Sequence, residues 1–197
     1  MKPILISGFE AFADQKINPS EQIVRSLSHI EESQKIILPV SYEKSYEKIR
    51  KIIQIGKVKD VIMLGQAGGR SFVSLERVAL NWVDADLPDA DGKVLLEQKI
   101  LPLSESAYFT EYPLRQWLSE AEFEKLPIEI SNTAGAYVCN YLSYRVAQEF
   151  SKQGVRSIFI HLPLLPEQTA AKNVSSMPFQ QMLKCVNFII DRISVMP

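Results

Sequence analysis

The sequence predicts an α/β fold built on a mostly parallel sheet. Three observations carry that reading: short apolar runs alternate with stretches of helical periodicity, the runs favour β-branched residues, and polar or glycine-containing turns separate the two. Residues 4–7 form an apolar run stopped by Gly8, and after a polar loop residues 20–30 show helical spacing through Ile23, Leu27 and Ile30. Residues 35–40 (KIILPV) read as a second strand, 42–55 as a charged amphipathic helix, and 58–64 (VKDVIML) as a third strand.

The alternation then breaks. Residues 71–84 (SFVSLERVALNWVD) read as one long strand, because β-branched and aromatic residues dominate and no helix cap precedes them. Residues 87–93 are turn-rich, and the segment onward to Pro113 is irregular with room for a short hairpin. Pro113 suits the first turn of a helix carrying Trp117, and residues 128–130 form a short strand. The next helix runs to about Gln153 on a stripe of Val138, Leu142, Val146 and Phe150, and Gly154 ends it. Residues 155–161 are a buried strand and 178–193 a last helix. The chain holds no internal repeat and no low-complexity segment.

At 197 residues, with 46% hydrophobic and 23% charged residues, the chain suits one domain spanning 1–197 and no long disordered tract. A net charge of −1 leaves no basic stripe to neutralise a phosphate backbone, which argues against nucleic acid as a partner. The opening MKPILISGFEAF is interrupted at Ser7 and Gly8, so it reads as a strand and not a signal segment, and no run is long enough to span a membrane. Cys139 and Cys185 make no disulfide framework and show no metal-ligand spacing with the two histidines, so the expectations are a cytoplasmic protein and no bound metal.

In open α/β sheets, ligands bind beyond the carboxyl ends of the strands. Four segments fall at such ends: GFEAF (8–12), GQAGGR (65–70), SNTAGAYVCN (131–140) and His161. The small-residue turn 133–136 leads into a helix and places Cys139 near its N-terminus, where the dipole is expected to lower the thiol pKa. Alternation along 71–84 puts Glu76 on one face with Phe72, Ser74, Val78, Leu80 and Trp82. A carboxylate on an apolar face needs a partner, and an imidazole N–H is a suitable one. Cys139, His161 and Glu76 therefore form a candidate set for covalent acyl transfer. In it His161 takes the thiol proton and returns it to the leaving amine, while Glu76 fixes the imidazole tautomer. Oxyanion candidates are the backbone N–H of Cys139 and the turn of Gly68, Gly69 and Arg70.

Each residue also has a bland reading: Cys139 as a small core hydrophobe, His161 as a satisfied strand-end histidine, Glu76 as half of a structural ion pair, and Phe9 and Phe12 as core aromatics. Cys185 reads as core and His29 as the end of a surface helix. GQAGGR lacks the GKS or GKT ending of a phosphate loop and the spacing of a dinucleotide loop.

The motifs GQAGGRSFVSLERVALN and SNTAGAYVCN, with HLPLLPEQ and the loop GFEAFADQKINPS, closely resemble those of the pyroglutamyl peptidase I (pyrrolidone-carboxylate peptidase) family of cysteine peptidases. The likeness covers nearly the whole chain. It implies a three-layer α/β/α sandwich with a central mixed sheet, removal of N-terminal 5-oxoproline from peptides, no cofactor, and a homotetramer. It puts Glu76, Cys139 and His161 in the catalytic places. It also implies that Phe9 and Phe12 hold the pyrrolidone ring, with Asn18 in the same substrate loop and Gln66 giving backbone contacts to the lactam. A flat uncharged lactam suits an aromatic clamp with a few backbone hydrogen bonds. Ala11, Ala13, Asp14 and Leu164 depart from the family pattern around the pocket, and Pro127 and Glu129 just before the cysteine motif. Two other readings remain beside it: a non-catalytic or nucleoside-type binding protein on the same fold, and an amidase using the same triad on another acyl group.

Overall fold

The computed structural model describes residues 4–27, 33–169 and 173–196. Its first half alternates as the periodicity predicts: β1 (Ile4–Phe9), α1 (Pro19–Ser26), β2 (Gln34–Leu38), α2 (Tyr42–Ile55) and β3 (Asp60–Gln66). Local chemistry sets the helix starts. Asn18 caps α1 by accepting from the Ser20 backbone N–H, with Pro19 in the first turn, and Ser41 caps α2 by accepting from the Lys44 N–H. The expected end of the first helix at Ile30, and His29 with it, fall outside the described residues.

The second half holds β4 (Val73–Glu76), β5 (Val78–Leu80), β6 (Val83–Ala85), β7 (Leu95–Gln98), β8 (Ala107–Phe109), α3 (Leu114–Phe123), β9 (Ile128–Ser131) and α4 (Val138–Phe150). A 3-10 turn at Ser151–Gln153 closes on Gly154 in the left-handed region, φ 76°, and β10 (Arg156–Leu162), α5 (Pro166–Thr169) and α6 (Phe179–Ser194) follow.

The six-stranded sheet has the order β2-β1-β3-β10-β4-β9. Its first four strands are parallel, β4 runs antiparallel to β10, and β9 runs parallel to β4. Alternate residues feed two cores. Ile4 and Ile6, Ile62 and Leu64, Val73 and Leu75, and Ile158 and Ile160 face α1, α3 and α6. Leu5 and Phe9, Val61 and Met63, and Phe159 face α2 and α4. The result is the expected three-layer sandwich around a mixed, mostly parallel sheet.

The single long strand over 71–84 is corrected. The run divides at Arg77, whose N–H still donates to Ser131 at the end of β9 while its carbonyl accepts from Thr110. Beyond that point β5 pairs with β8 and β6 with β7, two small antiparallel ribbons outside the main sheet. Continuous alternation therefore fails: Phe72 and Trp82 are exposed, whereas Ser74 and Glu76 are buried. β-propensity marked the extended backbone but not the place where it changes partners.

Candidate active site

The site lies where β3, β4 and β10 meet the start of α4. His161 is the sixth residue of β10, and its register partner on β3 is Gly65. On the other side His161 pairs with Ser74 of β4, so Glu76 is a diagonal neighbour on the same face. Glu76 Oε1 lies 2.7 Å from His161 Nδ1, and both side chains are almost fully enclosed. Tying Nδ1 to the carboxylate leaves Nε2 as the imidazole nitrogen free to exchange a proton. The same Oε1 forms an ion pair at 2.9 Å with Arg70 Nη2, which also donates to the Thr133 carbonyl at 3.1 Å. Arg70 thus links the glutamate strand to the loop before the cysteine.

That loop turns at Gly135, φ 79°, and delivers the chain into α4, whose N-terminus has no side-chain cap. Cys139 is its second residue. A Cβ on Gly65 would stand 2.7 Å from the Phe159 ring and 3.1 Å from Cys139 Sγ, so the missing side chain of Gly65 is the space that the sulfur and the ring occupy. Gly65 is also the strand partner of His161, so the glycine that makes room for the sulfur lies beside the histidine in the sheet. Phe159 packs against the His161 ring with centroids 4.8 Å apart. Asn140, fully buried, accepts from the Leu80 N–H and donates to the Leu80 and Trp82 carbonyls, fastening the ribbon strands to α4.

The expected low thiol pKa is corrected. Cys139 keeps part of its surface open to the cavity, yet packing around the sulfur pushes its pKa up to about 12, chiefly by burial and then by the negative charge of Glu76. Arg70 and the residue's own N–H oppose this without cancelling it. Burial likewise holds His161 below its ordinary value, against the pull of Glu76. A helix N-terminus alone does not outweigh enclosure of the charge.

Beside the sulfur opens a cavity of ≈ 250 Å³ lined in part by Phe9, Phe12, Asn18, Gln66, Tyr137 and Cys139. Phe9 is buried against Phe159 at 6.5 Å, and Phe12 faces Tyr137 at 6.4 Å. Tyr137, which the sequence reading did not single out, is one residue from the helix start in the cysteine motif. Asn18 lines the wall, but Oδ1 accepts from Ser20 and Nδ2 donates to the Glu10 carbonyl, so its polar atoms hold the loop together. Ala13 in this loop adopts φ 53°, and Leu164 packs below the turn containing Gly68. Glu129 accepts from the Ser74 hydroxyl at 2.6 Å, and the Pro127 carbonyl accepts from Val73. Cys185 is fully buried in the core under α6.

A thiol on the wall of a small apolar cavity, with a hydrogen-bonded imidazole–carboxylate pair on the adjoining strands, has the group types of hydrolases that work through acyl-enzymes. The pyroglutamyl peptidase family model matches residues 2–195. The chain belongs to the pyroglutamyl peptidase family. A pyrrolidone-carboxylate peptidase of Fusobacterium nucleatum is 39% identical over 97% of this chain and 92% of its own length, and one of Bacillus subtilis is 33% identical over 94% and 89%. The crystal structure of the pyrrolidone carboxyl peptidase of Fervidobacterium islandicum superposes with a TM-score of 0.91 at 33% identity, covering 98% of this chain and 99% of that one. Pyroglutamyl peptidase I of Bacillus amyloliquefaciens gives 0.90 at 32% identity, covering 95% and 94%. The family therefore extends over both motifs and the sheet that carries them.

Proposed function

We propose that the protein is a cysteine peptidase that removes N-terminal pyroglutamate from peptides, with Cys139 as nucleophile, His161 as general base and acid, and Glu76 as the group that orients His161. The observation that carries this is the 2.7 Å contact of Glu76 Oε1 with His161 Nδ1 beside a strand glycine that makes room for the Cys139 sulfur. With the thiol and imidazole both held in their neutral forms by burial, the proton passes from Sγ to Nε2 as sulfur attacks the carbonyl carbon of the pyroglutamyl residue. The C–N bond breaks, His161 protonates the departing amine, and a thioester remains. A water activated by His161 then cleaves the thioester, releasing 5-oxoproline and restoring the thiol.

The tetrahedral oxyanion needs preorganised donors, and the uncapped N-terminus of α4 offers the Cys139 N–H. Arg70 acts near the same place through its links to Glu76 and Thr133. Phe9 and Phe12 supply apolar walls for the lactam, with Gln66 at the rim. A charged amino terminus is excluded from such a cavity by its desolvation cost.

The family match over 2–195 supports one catalytic domain, and the two unpaired thiols suit the cytoplasm. Homotetramer assembly rests on the family resemblance, and sedimentation at several concentrations tests it. Among the described residues no helix is long and apolar enough to cross a membrane. The deciding experiment is cleavage of pyroglutamyl-aminomethylcoumarin: the wild type turns it over, and Cys139→Ala is folded but inert. A pure, folded wild type without turnover would leave a binding protein or an amidase of another acyl group as the better reading.

A further inference from the structure

Glu76 uses only one of its two oxygens. Oε1 takes both partners, His161 Nδ1 at 2.7 Å and Arg70 Nη2 at 2.9 Å, whereas Oε2 is enclosed and has no hydrogen-bond partner among the described residues. A buried carboxylate oxygen without a donor is costly, and folded proteins answer such a group with an internal water where there is room for one. There is room. A second cavity, of ≈ 30 Å³, is lined in part by Glu76, Phe159, Ser143 and Ala147. That exceeds the roughly 10–15 Å³ that a single water requires. Glu76 and Phe159 are direct cross-strand partners, so both side chains leave the sheet on the face that α4 covers. The enclosed oxygen and the cavity therefore lie in one layer, between the sheet and that helix.

The helix supplies the second polar group. Ser143 follows Cys139 by four residues, so both stand on one face of α4, with the serine one turn farther along the helix. Glu76 is displaced in the same sense, since its partner on β10 is Phe159 and not His161. Ser143 is 7% exposed, and its hydroxyl makes no hydrogen bond to the described residues. We propose that the cavity holds one ordered water, which accepts from the Ser143 hydroxyl and donates to Glu76 Oε2, and that Ser143 is thereby a positioning residue for the catalytic set. A carboxylate turns readily about its last torsion, and donors at Oε1 alone leave its plane free to swing. A donor on Oε2 fixes that plane, and with it the imidazole that Oε1 holds. The consequence for turnover rests on the pyroglutamyl-peptidase reading; the water site itself does not.

The test compares two substitutions of the same shape: Ser143→Thr keeps the hydroxyl, and Ser143→Val puts a methyl group in its place. Each is made in the wild type and in Glu76→Ala, which leaves no carboxylate to orient. In steady-state cleavage of pyroglutamyl-aminomethylcoumarin the threonine variant keeps kcat within about twofold of wild type. The valine variant loses about tenfold in kcat, and KM changes in neither. In the Glu76→Ala background the difference between the two disappears. A high-resolution crystal structure of the wild type shows a water within hydrogen-bond distance of both Glu76 Oε2 and Ser143 Oγ, and that of the valine variant shows none there. Equal kcat in the folded threonine and valine variants, a difference that persists without Glu76, or a dry cavity in the wild type would overturn the proposal. If neither variant folds, the wild-type crystal structure decides: a protein donor at Oε2, or no water between it and Ser143, overturns it. A wild type that holds the water yet cleaves no pyroglutamyl substrate removes the peptidase reading and leaves the water site standing.

Discussion

Glu76 Oε1 meets His161 Nδ1 at 2.7 Å across the one pairing of the main sheet in which neighbouring strands run in opposite directions. In the proposed mechanism the carboxylate holds the imidazole tautomer and balances its charge once protonated. Glu76→Gln keeps the shape and removes the charge. Its kcat is expected to fall at least about a hundredfold with little change in KM, read from initial rates on the fluorogenic substrate.

The thiol gives a pH signature. With Cys139 pushed up to about 12, alkylation by iodoacetamide keeps rising above pH 9 and does not level off near neutrality, as mass spectrometry of the labelled peptide checks. Cys185, fully buried and also raised to about 12, reacts only after unfolding. A Cys139 rate that is flat from acid to alkaline pH would establish a preformed thiolate and contradict the burial argument.

The same shift couples to stability. The folded chain retains a Cys139 proton that the unfolded chain releases from its ordinary value of 9.0, so this contribution is complete below pH 9 and is lost as pH rises toward about 12. Thermal melts of wild type and Cys139→Ser across that alkaline window show a shallower decline for the serine variant. His161 works in the opposite direction: burial lowers its pKa, so its base form persists below 6.5 and the acid limb of kcat/KM has its midpoint under that value.

Gly65 has no room for a methyl group. Gly65→Ala places a carbon against the Phe159 ring and the sulfur, which costs about 1–3 kcal/mol of stability and displaces Cys139, so activity falls even in the folded fraction. Chemical denaturation and activity per folded molecule separate the two effects. Asn140→Ala strips three hydrogen bonds from the Leu80 and Trp82 backbone and is expected to destabilise by about 3 kcal/mol.

Ala13 offers the reverse change. Its φ of 53° belongs to the left-handed region where a side chain is strained, so Ala13→Gly is expected to raise stability by about 1 kcal/mol, measurable as a higher denaturant midpoint.

The first half of the fold was legible because each element there is a simple period: Ile4 and Ile6 on one side of the sheet, Leu5 on the other, Ile49 and Ile53 under α2. Residues 71–84 were not, since β5 and β6 keep extended geometry while exchanging the main sheet for partners at 95–98 and 107–109, and no local pattern encodes a distant partner. At the site, Cys139, His161 and Glu76 stood out as reactive groups at strand ends or on an apolar face. Tyr137 and Asn140 did not, because their side chains answer backbone groups that the fold brings to them. The thiol pKa was misjudged for a related reason: the helix N-terminus can be read from a sequence, but the enclosure that opposes it arises only from packing.

The reversal of β4 gives the molecule a vertical order. Entering from the mouth and running inward, this strand carries its glutamate to the level of Phe159, two residues deeper than the histidine. The carboxylate thus lies on a lower storey, whereas the loop residues Phe12 and Ala13 line the cavity above it. A change at Ala13 therefore alters the pocket wall and leaves the buried Glu76–His161 contact beneath it undisturbed.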